Sequence, residues 1–114
     1  MRKIEKTAFG AFLVETIKAA KMSQAEFYTA VGIKKPYFYD LLIASPPPIE
    51  LQNRMLALLD ERTGEDPARR TQFYDLAAAG RNEIPADIQT TILNHKNDYA
   101  TIRKALDELF KDKE

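Results

Sequence analysis

The chain has 114 residues, 45% of them hydrophobic, no cysteine and a formal net charge of zero. A chain of this length can bury one modest core, so we expect a single domain. The lack of cysteine excludes disulfides, thiolate zinc sites and cysteine nucleophiles, and it fits a cytoplasmic location. No apolar stretch approaches the roughly 20 residues that span a bilayer, and no signal-peptide core follows the basic start at residues 1–6, so no membrane association is expected.

Charge is distributed unevenly along the chain. Residues 1–48 carry seven lysines and arginines against four acids, a net +3, whereas residues 49–114 carry ten against thirteen, a net −3. Proteins that bind nucleic acid meet its phosphates with a basic surface. Such a surface, if present, is therefore predicted in the N-terminal part.

Two helices are predicted before the first glycine turn. Apolar residues recur at helical spacing over residues 7–21, which predicts a first amphipathic helix. Its inward stripe consists of Phe9, Phe12, Leu13, Ile17 and Ala20. The run Ser23-Gln24-Ala25-Glu26 matches a capping box and predicts that a second helix begins at Ser23. Gly32 ends this helix, because glycine adopts the left-handed conformation at no steric cost.

A third short helix is predicted over residues 36–44, since proline suits the first helical position. Its inward residues are Phe38, Leu41 and Leu42. The prolines at 46, 47 and 48 have no amide donors, so they predict a stiff connector. A rigid turn between two helices is the preferred interpretation. The alternative is a ligand for a peptide-recognition domain.

Four further helices follow in the pattern, and no strand pattern competes with them, so the predicted fold is all-α. Helix four spans residues 49–60, helix five begins at Asp66-Pro67 and stops at Gly80, helix six begins near Pro85 and helix seven near Asp98. The short helices followed by longer ones favour an orthogonal bundle. Their inward residues are predicted to be Leu51, Met55, Leu58, Leu59, Phe73, Leu76, Ala77, Ile88, Ile92 and Leu93.

The second and third helices, with their three- to four-residue turn, have the spacing of a helix-turn-helix. The second helix of that motif enters the major groove with its N-terminus leading. Side chains predicted to approach bases or phosphates are Lys34, Lys35, Tyr37, Tyr39 and Asp40, with Gln24 on a phosphate at the first turn of helix two. Lys18 and Lys21 are candidates for further phosphate contacts or for interaction with the dipole of helix one.

Each of these side chains could instead have a purely structural role. The two lysines can form a solvated helix start, the tyrosines can fill the core beside helix one, and Asp40 can have a structural role, because phosphates repel it.

The chain also resembles a known family at these residues. Met22-Ser23-Gln24-Ala25-Glu26-Phe27, Val31-Gly32-Ile33 and Tyr37-Phe38-Tyr39-Asp40-Leu41 are similar to motifs of the lambda-repressor-like regulators, also called the xenobiotic-response-element family. The likeness covers about residues 7–60. Residues 73–77 and 84–88 weakly resemble the tail of short members from bacterial mobile elements, which extends it over a C-terminal helical extension at about residues 66–111.

The resemblance implies a five-helix DNA-reading core, a homodimer on an inverted repeat, and repression. By position, it places DNA contacts on Gln24, Lys34, Lys35, Pro36, Tyr39 and Asp40. Tyr28 stands where the family has a small residue, and Lys34 where it has a polar cap. Together with the neutral net charge, Tyr28 favours an alternative, in which the same fold recognises a protein partner as an antitoxin or antirepressor.

The last helix has a clean apolar stripe, consisting of Tyr99, Ile102, Leu106, Leu109 and Phe110. We expect it to lie mainly in the core, with an exposed remainder that forms the dimer seam. Enzyme activity, a metal and a cofactor are not expected: His95 is the only histidine, the acidic pairs lie in or beside a polar loop, and no glycine-rich phosphate loop is present.

Overall fold

The structure, a computed structural model, describes residues 5–113. Helices joined by turns and loops make up this part of the chain, and it contains no strand. Arg2 and Lys3 of the basic start lie outside the described residues. The all-α prediction is confirmed for the described part. The helices are α1 (Ala8–Ala19), α2 (Gln24–Val31), α3 (Lys35–Ile43), α4 (Ile49–Thr63), α5 (Pro67–Arg81), α6 (Ala86–Leu93) and α7 (Tyr99–Phe110), with a 3₁₀ turn at Lys96–Asp98 before α7.

Side chains cap the starts of three of these helices. Thr7 Oγ1 accepts a hydrogen bond from the Gly10 amide at 3.0 Å, and the Asp66 carboxylate accepts one from the Arg69 amide at 3.1 Å. At α2 the predicted capping box is confirmed: Ser23 Oγ accepts from the Glu26 amide at 3.0 Å, and Glu26 Oε1 accepts from the Ser23 amide at 3.1 Å. These bonds satisfy amides that have no partner inside their helices.

The turn after α2 also forms as predicted. Gly32 has φ +92° and ψ +29°, the left-handed conformation. In this conformation, the Gly32 and Ile33 amides both donate to the Tyr28 carbonyl at 3.0 Å, which closes the end of α2. Only Gly32, Ile33 and Lys34 then separate α2 from α3.

The core is formed by α1 to α5 around an aromatic centre. Phe73 of α5 is fully buried, and its ring meets Phe9 edge-on at 5.1 Å and Phe12 at 6.5 Å between centroids. Phe27 of α2 and Phe38 of α3 form a second buried pair at 6.2 Å. The predicted inward residues of α1, α3, α4 and α5 are buried or packed at the margin of this core, and Leu56, Gln52 and Tyr74 are buried in addition.

The proline connector is packed into the fold. Pro46 and Pro47 are fully buried, and their carbonyls accept hydrogen bonds from Arg81 Nη1 at 3.1 Å and Gln52 Nε2 at 2.8 Å. This burial agrees with the rigid turn and excludes an accessible peptide ligand at these two prolines. The prediction that α5 stops at Gly80 is wrong. Gly80 lies inside the helix, where an added Cβ would come within 2.6 Å of the Pro46 ring. The helix instead closes at Asn82, which is left-handed.

The prediction for the last two helices is wrong. Ile88 and Leu93 of α6 are 49% and 51% exposed, and Ile92 is only partly buried. No residue of α7 is buried, so its stripe is not part of the core. α7 packs chiefly against the 3₁₀ turn that precedes it. The radius of gyration, 16.5 Å, accordingly exceeds the roughly 13 Å of a compact chain of this length.

Among residues 5–113, no helix combines the length and the apolar character that a bilayer crossing requires.

Candidate nucleic-acid interface

Contacts from α1 and α4 hold the unit formed by α2, the three-residue turn and α3. The Thr7 amide donates to the Leu42 carbonyl oxygen at 2.9 Å, which ties the start of α1 to the end of α3. Beside this bond α1 approaches α3 so closely that a Cβ on Gly10 would lie 2.7 Å from the Leu42 carbonyl carbon. From α4, Arg54 Nη1 donates to the Val31 carbonyl at 3.0 Å, at the end of α2. These contacts therefore anchor the end of α2 and the end of α3.

α3 is divided into an inward and an outward side. Phe38, Leu41 and Leu42 are buried, as predicted. The predicted contact residues lie on the other side or at its start: Lys34, Lys35, Pro36, Tyr37, Tyr39 and Asp40 are all exposed. Tyr37 and Tyr39 are each 42% exposed, so neither fills the core beside α1.

The structure brings Gln24 and Tyr39 to one place on the surface. Both line an open depression of about 290 Å³ together with Lys6, Leu42 and Ile43. Gln24 begins α2, and its side chain is partly exposed. The first turn of α2, with its free amides and positive dipole end, thus adjoins the outward side of α3.

The cations of this surface are available to a ligand. Lys34 and Lys35 form no ion pair with any group in residues 5–113. The Lys35 ammonium lies 5.9 Å from the centroid of the Tyr39 ring, within the range of a cation–π contact. The acidic Glu26 is held in the capping box, and the hydrogen bonds from the Ser23 amide and hydroxyl lower the pKa of its carboxyl.

Lys18 and Lys21 lie apart from the depression, at the end of α1. Both are exposed, and Lys21 has a positive φ of +58°, uncommon for a residue with a side chain. Lys18 is in the last turn of α1, where a cation complements the helix dipole.

Tyr28 is accommodated between the two helices. Its ring is partly buried and packs on Phe38 of α3 with the centroids 5.4 Å apart and the planes tilted by 45°. Tyr28 is larger than the small residue of the motif that the chain resembles, but its ring packs on Phe38, and α2 and α3 remain in contact.

The sequence analysis did not identify three residues that line or support this surface. Lys6 belongs to the basic start and lines the depression; its charge was the only available signal. Ile43 lines it as well and is 38% exposed, although its apolar character suggests burial. Arg54 gave no signal, because its bond to Val31 spans 23 positions of the chain.

A second depression, of about 420 Å³, lies between α4, α5 and α6, and its wall is about equally polar and apolar. Tyr74 forms part of its wall and donates from its hydroxyl to Asn53 Oδ1 at 2.6 Å; burial raises the pKa of this tyrosine. Asp60 and Asp87 also line it, but no group of three or more potential metal ligands occurs within the described range. The side chain of His95 is 60% exposed, and its Nδ1 lies 3.8 Å from a carboxylate oxygen of Asp98.

Comparisons with known proteins give no relative. No protein-family model matches the chain, and neither the curated proteins nor the solved structures provide a significant match. The resemblance to lambda-repressor-like regulators therefore rests on the motifs within residues 22–41 and on the weaker tail pattern.

Proposed function

We propose that the chain is a sequence-specific DNA-binding transcriptional regulator of the lambda-repressor-like type, in which α3 reads the major groove. The observation that carries this proposal is the outward surface of the α2–turn–α3 unit. It combines two unpaired lysines, two exposed tyrosines and the partly exposed Gln24 at the start of α2. A helix whose C-terminal end is anchored to the core and which exposes such side chains suits insertion into a groove.

The residues have distinct roles in this proposal. Gln24 contacts a backbone phosphate, assisted by the dipole of α2, and thereby sets the register of α3 on the duplex. Lys34 and Lys35, at the leading end of α3, contact guanine acceptors or flanking phosphates. Tyr39 contacts thymine methyl groups or phosphate oxygens, and Asp40 accepts from cytosine. Repression from an inverted repeat is the regulatory mode that the family resemblance implies.

The first experiment is enrichment of random DNA duplexes by the purified protein. It tests binding and sequence preference together, because only a specific binder converges on a shared sequence. We expect one enriched motif. The affinity for that motif should fall linearly in a log–log plot against salt, with a slope of about −0.9 per phosphate contacted.

The first testable prediction concerns the lysine pair. Replacing Lys34 and Lys35 together by alanine should cost about 1–3 kcal/mol of binding free energy, or more, at a base-contacting position. The matched control is Lys96→Ala with Lys104→Ala, which removes the same charge from exposed positions outside α2 and α3. Titration of the enriched duplex and a scrambled duplex measures both variants. Equal affinity of the lysine variant and the wild type for every duplex would contradict the proposal.

A second candidate function is protein recognition, as an antitoxin or antirepressor. The zero net charge favours it, because the chain as a whole has no excess of cations to meet phosphates. No enriched duplex, together with a defined protein partner that is lost on mutation of the outward side of α3, would replace the first proposal by this one.

A further inference from the structure

The apolar stripe of α7 has no cover within the described part of the chain. Tyr99, Leu106, Leu109 and Phe110 are 37%, 45%, 60% and 42% exposed, and none of the twelve residues of α7 is buried. Together with Ile102, they recur three, four, three and one positions apart, which places them on one face of the helix.

α7 also lacks the features that stabilise an isolated helix. It has no side-chain N-cap, no acid in its first turn and no base in its last turn. It has twelve residues, and an isolated helix of this length is only marginally stable in water. A helix of this kind forms when its apolar face is covered, so the missing cover is expected to be another molecule.

The order of charges on α7 indicates which molecule covers it. The helix has no net charge: Arg103 and Lys104 lie in its first half, and Asp107 and Glu108 lie in its second half. Bases in the first half and acids in the second oppose the helix dipole. A second helix of the same sequence that runs antiparallel would place acids beside these bases, and a partner of one charge sign would not.

We infer that α7 docks against α7 of a second copy of this chain, antiparallel and about a two-fold axis. Arg103 and Asp107 are four positions apart on the same side of the stripe, one on each side of its midpoint. In the antiparallel pair, Arg103 faces the partner's Asp107, and the symmetry repeats this contact. In a parallel two-fold pair, the two Arg103 side chains would lie on opposite sides of the seam, and neither would face the partner's Asp107.

The exposed apolar surface is large enough for such a contact. On α6 and in the turn before it, Ile84, Ile88 and Leu93 are also 54%, 49% and 51% exposed. Side chains exposed to this extent supply apolar area toward the roughly 800 Å² per partner that a standard interface buries. Isolated proteins seldom expose a larger apolar patch.

The dimer is inferred from α7 alone and does not depend on DNA binding, but it would specify how two α3 helices are linked. Sedimentation equilibrium of the full chain without DNA tests it. We expect a mass of twice 13.0 kDa that dissociates on dilution. Leu106→Asp should raise the dimer dissociation constant at least about 30-fold, because a charge would enter the centre of the interface. Lys104→Ala, on the opposite side of the helix, is the matched control.

A charge-reversal pair tests the antiparallel orientation. Arg103→Glu should weaken the dimer about 3- to 10-fold, because two attractive contacts become repulsive, and adding Asp107→Arg should restore it. In a parallel pair, Arg103 would not face the partner's Asp107, so the single reversal would leave the dimer affinity nearly unchanged. At a concentration where the chain is monomeric, circular dichroism should show the same thermal unfolding for the α7 variants as for the wild type, because no residue of α7 is buried in the core.

A monomer at every concentration, or a dimer that tolerates Leu106→Asp, would overturn the inference. Loss of dimerisation with retained binding to a DNA half-site would support the dimer and the DNA proposal separately. A dimer that enriches no duplex would contradict only the DNA proposal.

Discussion

Residues 8–81 and residues 86–110 both contain amphipathic helices, but their apolar faces have different fates. Phe73 of α5 is fully buried between aromatic neighbours of α1, whereas Phe110 of α7 remains 42% exposed. The apolar residues of α7 form the more regular stripe of the two helices, although α5 is the one that is buried. An apolar stripe therefore shows that a helix needs cover on one face, and it does not show whether the same chain or another molecule provides that cover.

The helix ends differ in the same way. In the first region α1, α2 and α5 have side-chain N-caps and α3 and α4 have none, whereas in the second region neither α6 nor α7 has one. Caps add about 1 kcal/mol each, so they reinforce helices that already pack in the core. The first region thus combines local and tertiary stabilisation, and the second depends on contacts that the described chain does not supply.

The largest expected effect separates the two regions directly. Phe73→Ala should lower the free energy of unfolding by about 3–5 kcal/mol, because a cavity remains where the ring met Phe9 and Phe12. Phe110→Ala makes the same chemical change on α7 and should alter it by less than about 0.5 kcal/mol. Urea unfolding at a concentration where the chain is monomeric measures both. Similar losses in the two variants would show that α7 packs on the core after all.

A smaller effect is expected where α1 approaches α3. Gly10→Ala should cost about 2–3 kcal/mol, because its Cβ would lie 2.7 and 2.8 Å from the Leu42 carbonyl carbon and Cα, which cannot move without shifting α3. Ala100→Leu adds more atoms at an exposed position of α7 and should change the stability of the monomer little. The same urea titrations compare them. A Gly10→Ala protein as stable as the wild type would mean that α3 is free to move relative to α1.

Local interactions were the part of the fold that the sequence predicted well. The capping box at Ser23 and the left-handed turn at Gly32 depend on residues within five positions of each other, so their motifs carry the necessary information. Gly80 was misread for the opposite reason. Its neighbour is the Pro46 ring, more than thirty positions away, and a glycine needed for close packing looks the same in sequence as one that ends a helix.

The candidate site shows the same limit. Helical periodicity placed Phe38 inward and Tyr39 outward on α3, and the structure agrees. It could not show that Lys6 and Gln24 adjoin Tyr39, because that arrangement depends on the bond from Thr7 to the Leu42 carbonyl. For α7, the stripe was identified correctly, and its burial was not, since the sequence of one chain does not show what covers a face.

The smallest effects concern the helix starts. Ser23→Ala should cost about 1 kcal/mol, because the Glu26 amide loses its acceptor at the start of α2. Asp98→Ala at the start of α7 is the matched control, since Asp98 makes no side-chain cap there. Urea unfolding compares the two variants. An equal loss in both would contradict the difference between the capped and uncapped regions.

The capping box also predicts a dependence on pH. The hydrogen bonds from Ser23 lower the pKa of Glu26 in the folded chain, so the unfolded chain takes up this proton at a higher pH. The stabilisation is therefore complete above the ordinary glutamate pKa of about 4.3 and declines as the pH falls below it. Glu26→Gln keeps an oxygen acceptor but does not titrate. The wild type should consequently lose more stability than Glu26→Gln between about pH 5 and about pH 3. Parallel losses in the two proteins would show that the carboxylate of Glu26 does not stabilise the start of α2.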